Sequence, residues 1–222
     1  MSVLRIAARP VQDHEAYFPA LPLGFACGVQ SYMVLTQRGQ ERILIVTSDI
    51  DGRQAQIAEL FVQAFTASDG AEEGAMVGGL VRALLDEMAQ GDVMVFVAED
   101  EGRIVGAAIF SRLRYGTDPR HVMILSPMAV ASDRQGQGIG QRLLTEALAT
   151  LRAAGVDVAM TYGDPAFYGK VGFEPMAQDV VPAPLPLSQP EGWIGQSLTG
   201  DEIMPLHGPC TCVSALSDPS IW

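Results

Sequence analysis

A chain of 222 residues, 48% of them hydrophobic, can bury a full core and fits one domain better than two. A formal net charge of -12 argues against the basic patches that non-specific binding to nucleic acid or to an anionic membrane needs, so neither partner is expected. No apolar run approaches the roughly 20 residues that span a bilayer, and the N-terminal stretch lacks a charged segment followed by an uninterrupted apolar one, so a cytoplasmic protein is expected.

The three cysteines, Cys27, Cys210 and Cys212, are an odd count that suits a reducing compartment. Only His14, His121 and His207 are available to join them, so no metal is expected and the thiols read as buried and structural. Residues up to about Gln40 carry weak periodicity, several prolines and scattered aromatics such as Tyr17, Phe18 and Phe25; residues 1–41 read as an appended arm.

From Arg42 the signal sharpens. Ile43-Leu44-Ile45-Val46 has strand length and β-branching, and the cluster from Ser48 to Gly52 reads as a turn. Ile57, Leu60, Phe61, Ala64 and Phe65 fall at helical spacing; after Asp69-Gly70, Val77, Leu80, Val81, Leu84, Leu85 and Met88 repeat it. Val93 to Ala98 and Ile104 to Phe110 flank the turn Asp100-Glu101-Gly102 as a hairpin. A further strand, His121 to Val130, is interrupted at Ser126-Pro127, where the missing donor demands a bulge or an edge. A helix from about Gly138 to Ala154, closed by Gly155, and a strand at Val156 to Thr161 complete a βααββ then βαβ order.

Between that strand and that helix lies Gln135-Gly136-Gln137-Gly138-Ile139-Gly140. The helix start offers unpaired N–H groups and about half a positive charge, which suits a diphosphate, and oriented amides hold phosphate locally on an acidic protein. Arg134 would add a charge at the rim. The plainer reading is a tight turn whose small residues let helix and sheet approach closely. Alternate glycines match neither the G-x-G-x-x-G dinucleotide turn nor a Walker loop.

The run from Met128 to Gly140 resembles the signature of the GNAT superfamily of acyl-CoA-dependent N-acetyltransferases, Q/R-x-x-G-x-G/A, matched by Gln135, Gly138 and Gly140. Gly163-Asp164-Pro165-Ala166-Phe167-Tyr168-Gly169-Lys170-Val171-Gly172-Phe173 is similar to the bacterial branch carrying G-D-P-x-x-Y-x-x-x-G-F. The resemblance covers about Ile43 to Phe173, and Pro182 to Gly195 more loosely. It implies an α+β fold, a mixed, splayed central β-sheet flanked by helices. In domain terms it implies an N-terminal extension at 1–41, a transferase core at 42–175, and a Pro-rich segment with final strands at 176–222 completing the domain.

The resemblance also implies acetyl-CoA as donor, an amine as acceptor and no metal. Main chain of Met128, Ala129 and Val130 would pair with pantetheine, and Gln135, Gly136, Gln137, Gly138, Ile139 and Gly140 would hold the diphosphate. A main-chain N–H near Met128 or Ala129 would stabilise the developing oxyanion. Tyr168 would protonate the departing thiolate, as a phenol of pKa about 10 can at neutral pH; the plainer reading has Phe167 and Tyr168 simply closing the core. Thr161 stands where the family more often has Asn, and Asp164 reads as the cap of a short helix begun by Pro165. The general base is open among Glu174, His121 and Asp164. The alternative function is a non-catalytic acyl-CoA-binding or interaction module, its arm serving a partner or a homodimer contact.

Overall fold

The β-branched run at Ile43 lies in β2 (Gln40–Thr47), the second strand of a hairpin begun by β1 (Gln30–Gln37). The computed structural model describes residues 30–37 and 40–222, with side chains from residue 43 onward; Tyr17, Phe18, Phe25, Cys27 and His14 lie outside the described residues. Two helices follow, α1 (Gln54–Asp69) and α2 (Ala71–Asp86), then β3 (Val93–Asp100), β4 (Arg103–Tyr115) and β5 (Val122–Val130). The remaining elements are α3 (Ile139–Ala153), β6 (Val158–Tyr162), α4 (Pro165–Tyr168), β7 (Glu174–Pro175), β8 (Trp193–Ser197) and β9 (Cys210–Thr211).

The sheet path is β1-β2-β3-β4-β5-β6-β8-β7, with β9 paired to the end of β4. Every pairing is antiparallel except β5 with β6, which α3 joins as a crossover. This is the mixed, open sheet expected, and the element order from Ile43 to Tyr162 agrees with the periodicity. Two local differences have plain causes. β4 runs on to Tyr115 because alternation continues, Leu113 and Tyr115 inward and Arg114 outward in an ion pair with Asp92 at 2.8 Å. Met88 leaves α2 for a tight turn that Gly91 closes in the left-handed region.

Two buried clusters sandwich the sheet. One packs α1 and α2 against Val95, Ile109 and Ile124; the other packs the α3 stripe of Ile139, Leu143, Leu144, Ala147, Leu148 and Leu151 against Phe96, Phe110 and Leu125. The helices of the first layer cross closely, since a Cβ on Gly74 would stand 2.7 Å from the Val62 carbonyl oxygen. The segment beyond β8 is fastened at fixed points. Arg120 donates to the carbonyls of Met204 at 2.6 Å and Pro205 at 2.7 Å while paired to Asp118 at 2.6 Å. Glu87, after α2, accepts from the Ser214 hydroxyl at 2.6 Å and the Ala215 N–H at 2.8 Å.

Candidate active site

The proline in β5 shapes the site. Phe110 pairs with Leu125 and Ala108 with Met128, so Ile109 alone faces Ser126 and Pro127: the bulge expected where proline cannot donate. β5 and β6 run together from Val122–Val158 to Leu125–Thr161 and no further. At that last rung the Thr161 hydroxyl donates to the Leu125 carbonyl at 3.1 Å. Beyond it β5 keeps its ladder to β4 through Met128, Ala129 and Val130, while β6 pairs Tyr162 with Trp193 of β8. The strands part there, leaving main chain of Met128 to Val130 with no strand on the β6 side among the described residues.

The glycine turn closes the end of this opening. Gln135 donates from Nε2 to the Val130 carbonyl at 3.2 Å, tying the turn to β5. Gly136 and Gly138 adopt φ of 73° and 75°, the left-handed region, and Gly138 caps α3 with no side-chain hydrogen bond. The first helical bond runs from Arg142 N–H to the Gly138 carbonyl at 3.1 Å, so the N–H groups of Ile139, Gly140 and Gln141 lie ahead of the ladder. A Cβ on Gly136 would meet nothing within 4 Å, and one on Gly138 only Arg142 Nε at 3.9 Å. Gly140 differs: its Cβ would stand 3.2 Å from Phe167 Cζ and 3.4 Å from Met128 Cε. Close packing therefore accounts for Gly140, while Gly136 and Gly138 leave open space over exposed backbone. Ile139 is buried in the α3 cluster, and Gln137 donates to the Asp133 carbonyl at 3.4 Å, so their side chains serve the turn itself.

Tyr168 reaches the same place from the other strand. Asp164 caps α4, its Oδ1 accepting the Ala166 N–H at 2.8 Å, with Pro165 at the first position. Phe167 then lies on Gly140, and Tyr168 packs edge-on against it at 5.2 Å and against Phe173 at 5.6 Å. The phenol is 2% exposed. Burial pushes its pKa above the ordinary value, the neighbouring Thr161 hydroxyl draws it partly back, and Asp164 raises it further.

A model of the acetyltransferase (GNAT) domain matches residues 91–175, which contain β5, the glycine turn, β6 and Tyr168. The N-acetyltransferase YjhQ of Escherichia coli K12 is 32% identical over 163 residues, covering 71% of this chain and 86% of that protein. The chain belongs to the GNAT family. A GNAT acetyltransferase of Brucella melitensis, solved in complex with acetyl-CoA, superposes with a TM-score of 0.60 at 25% identity, covering 78% of this chain and 97% of that one. The fold of Escherichia coli YhbS, solved with CoA, matches with a TM-score of 0.64 at 23% identity over 82% of this chain and 96% of that one.

Some residues singled out in this GNAT chain are placed elsewhere. Arg134 is ion-paired with the buried Asp100, so its charge is committed away from the rim. Arg142, one helical turn after Gly138, makes no ion pair among the described residues, and burial lowers its pKa. Its spacing of four from Gly138 is the signal that identifies it. His121 is exposed at the far end of β5, its N–H bonded to Asp157 at 2.6 Å, roughly 13 Å along the strand from Leu125. Glu174 is exposed on β7, and Asp164 is occupied as a cap. Cys210 and Cys212 are half-buried, less covered than expected, and burial pushes the Cys210 thiol up to about 12. Among the described residues no group of His, Cys, Asp or Glu is placed to hold a metal, and no helix is long and apolar enough to cross a membrane.

Proposed function

We propose that this chain transfers an acetyl group from acetyl-CoA to an amine by direct attack. The parting of β5 and β6 carries the reading, because it sets an extended main chain, an open helix N-terminus and a protonated phenol around one gap. Pantetheine adds to Met128, Ala129 and Val130 as a short strand, and its diphosphate meets the backbone of residues 135 to 140, with Arg142, which makes no ion pair among the described residues, as the nearby cation. The acceptor nitrogen, its proton passed to water, bonds to the acetyl carbon while an N–H near Met128 or Ala129 holds the oxyanion. The carbon–sulfur bond breaks, its electron pair leaves on sulfur, and sulfur takes the Tyr168 proton, which solvent restores. Burial favours this role, since a phenol with a raised pKa keeps its proton at every physiological pH.

Within this reading the bacterial G-D-P-x-x-Y-x-x-x-G-F block supplies the acid, residues 42–175 form the core, and 176–222 complete the domain of a cytoplasmic enzyme. Calorimetric titration with acetyl-CoA tests the donor: absence of saturable binding rejects the proposal. Thiol release over an amine panel tests the reaction, and binding with no release for any amine would leave only a non-catalytic module.

A further inference from the structure

Tyr162 is the first residue of β6 beyond the rung it last shares with β5, and alternation turns its ring away from Thr161 and Tyr168 onto the face covered by α1 and α2. There it stacks on Trp222 with centroids 6.2 Å apart and planes 18° apart, and Trp222 leans on Trp193 at 6.1 Å. All three rings are buried. Their polar edges are held: Tyr162 Oη accepts the Gln189 N–H at 2.6 Å, Trp193 Nε1 donates to the Val181 carbonyl at 2.7 Å, and Trp222 Nε1 to the Leu216 carbonyl at 2.8 Å. Gly192 makes room for this packing, since a Cβ there would stand 3.2 Å from Tyr162 Cε2.

The opposite lip is small. Val122 and Ile124 of β5 join the same cluster before the strands part, but beyond the last shared rung β5 and the residue after it contribute only Ala129 and Ala131 to it, so the larger rings beside the gap come from the β6 side. The rings are doubly anchored and close-packed, which lets them exclude a methylene chain and not fold aside for it.

Resting on the acyl-CoA reading above, we propose that the Tyr162–Trp222 stack is the stop for the acyl group, restricting the donor to a short acyl chain. An acetyl methyl ends before the stack; a longer chain, entering from the Tyr168 side through the gap, meets it. Trp222 acts through Tyr162 and is a specificity-positioning residue with no part in proton transfer.

The test is calorimetry of CoA, acetyl-CoA and hexanoyl-CoA against the wild type, Trp222→Ala and the milder Trp222→Leu, with thermal melts alongside. In the wild type hexanoyl-CoA is expected to bind about tenfold or more weaker than acetyl-CoA. The variants should level or reverse that ratio, because each methylene lodged in an apolar cavity is worth about fourfold in affinity. Affinity for CoA itself should move by less than about twofold, as the stack lies off the diphosphate turn. Equal wild-type affinity for the two thioesters, or an unaltered ratio in a variant that still binds CoA, overturns the stop alone. A wild type that binds no CoA overturns the acyl-CoA reading together with it. The chain's two tryptophans are both in this stack, so intrinsic fluorescence gives a second readout: acetyl-CoA should alter it more than CoA, and identical traces count against the stop.

Discussion

Gly138→Ala separates the two jobs a glycine can do at a helix start. Its φ of 75° puts an alanine in the left-handed region, at a cost of about 1 kcal/mol, and its only neighbour for a Cβ is Arg142 Nε at 3.9 Å, so the fold has room. Gly155, at the other end of α3, is the matched control: φ is 80° and a Cβ would meet nothing within 4 Å. Both variants should therefore lose similar stability, a Tm shift of roughly 2–4 °C for a domain of this size. Under the proposed function, only Gly138→Ala places a methyl where the diphosphate would approach the α3 N–H groups. Losing one charge-assisted hydrogen bond, about 1.5–3 kcal/mol, weakens CoA binding by roughly 10- to 150-fold, whereas Gly155→Ala leaves it unchanged. Calorimetry with CoA beside thermal melts reads both quantities. Equal affinities in the two variants would refute the diphosphate role and leave the glycine a backbone requirement only.

Tyr168→Phe should lower turnover by about a hundredfold or more while the protein keeps its melting temperature within a few degrees; unchanged turnover at every pH would remove the acid assignment. Because burial raises the phenol's pKa, its proton stays bound through its ordinary value near 10, so no alkaline loss of rate from this group is expected below pH 10. Asp118 is the opposite case: the Arg120 guanidinium holds its carboxyl well below the usual range. Its stabilisation is present above the ordinary carboxylate pKa and lost as pH falls through the depressed one, so Asp118→Asn should destabilise at pH 7 and less at pH 3. Denaturant titrations at the two pH values check this, and an equal loss at both would contradict it. Gly74→Ala forces a Cβ against Thr66 Oγ1 and the Val62 carbonyl, so it should cost about 1–3 kcal/mol or more by separating α1 from α2; a melt unchanged from wild type would show that the crossing relaxes freely.

Local order along the chain was legible without coordinates. The α3 stripe, the hairpin of β3 and β4, the bulge at Ser126-Pro127 and the Asp164-Pro165 cap each depend on residues within a few positions of one another, where period and turn chemistry act directly. So did the glycine turn announce a helix N-terminus. What those patterns do not carry is pairing between distant segments. That β8 crosses from position 193 to draw Tyr162 off β5, and so opens the gap, follows from strands far apart in the chain finding their edges. The same holds for charge: Arg134 and Arg142 are two cations beside one turn in sequence, and the buried Asp100 pairs with Arg134, while Arg142 makes no ion pair among the described residues. His121, a base candidate by chemistry, precedes β5, and the direction of that strand puts it at the end away from the gap. Composition and short-range spacing determined the elements and marked the turn as the start of a helix. Tertiary structure decided which side chains meet there, because burial and strand partnership are properties of the packed sheet and of no single segment.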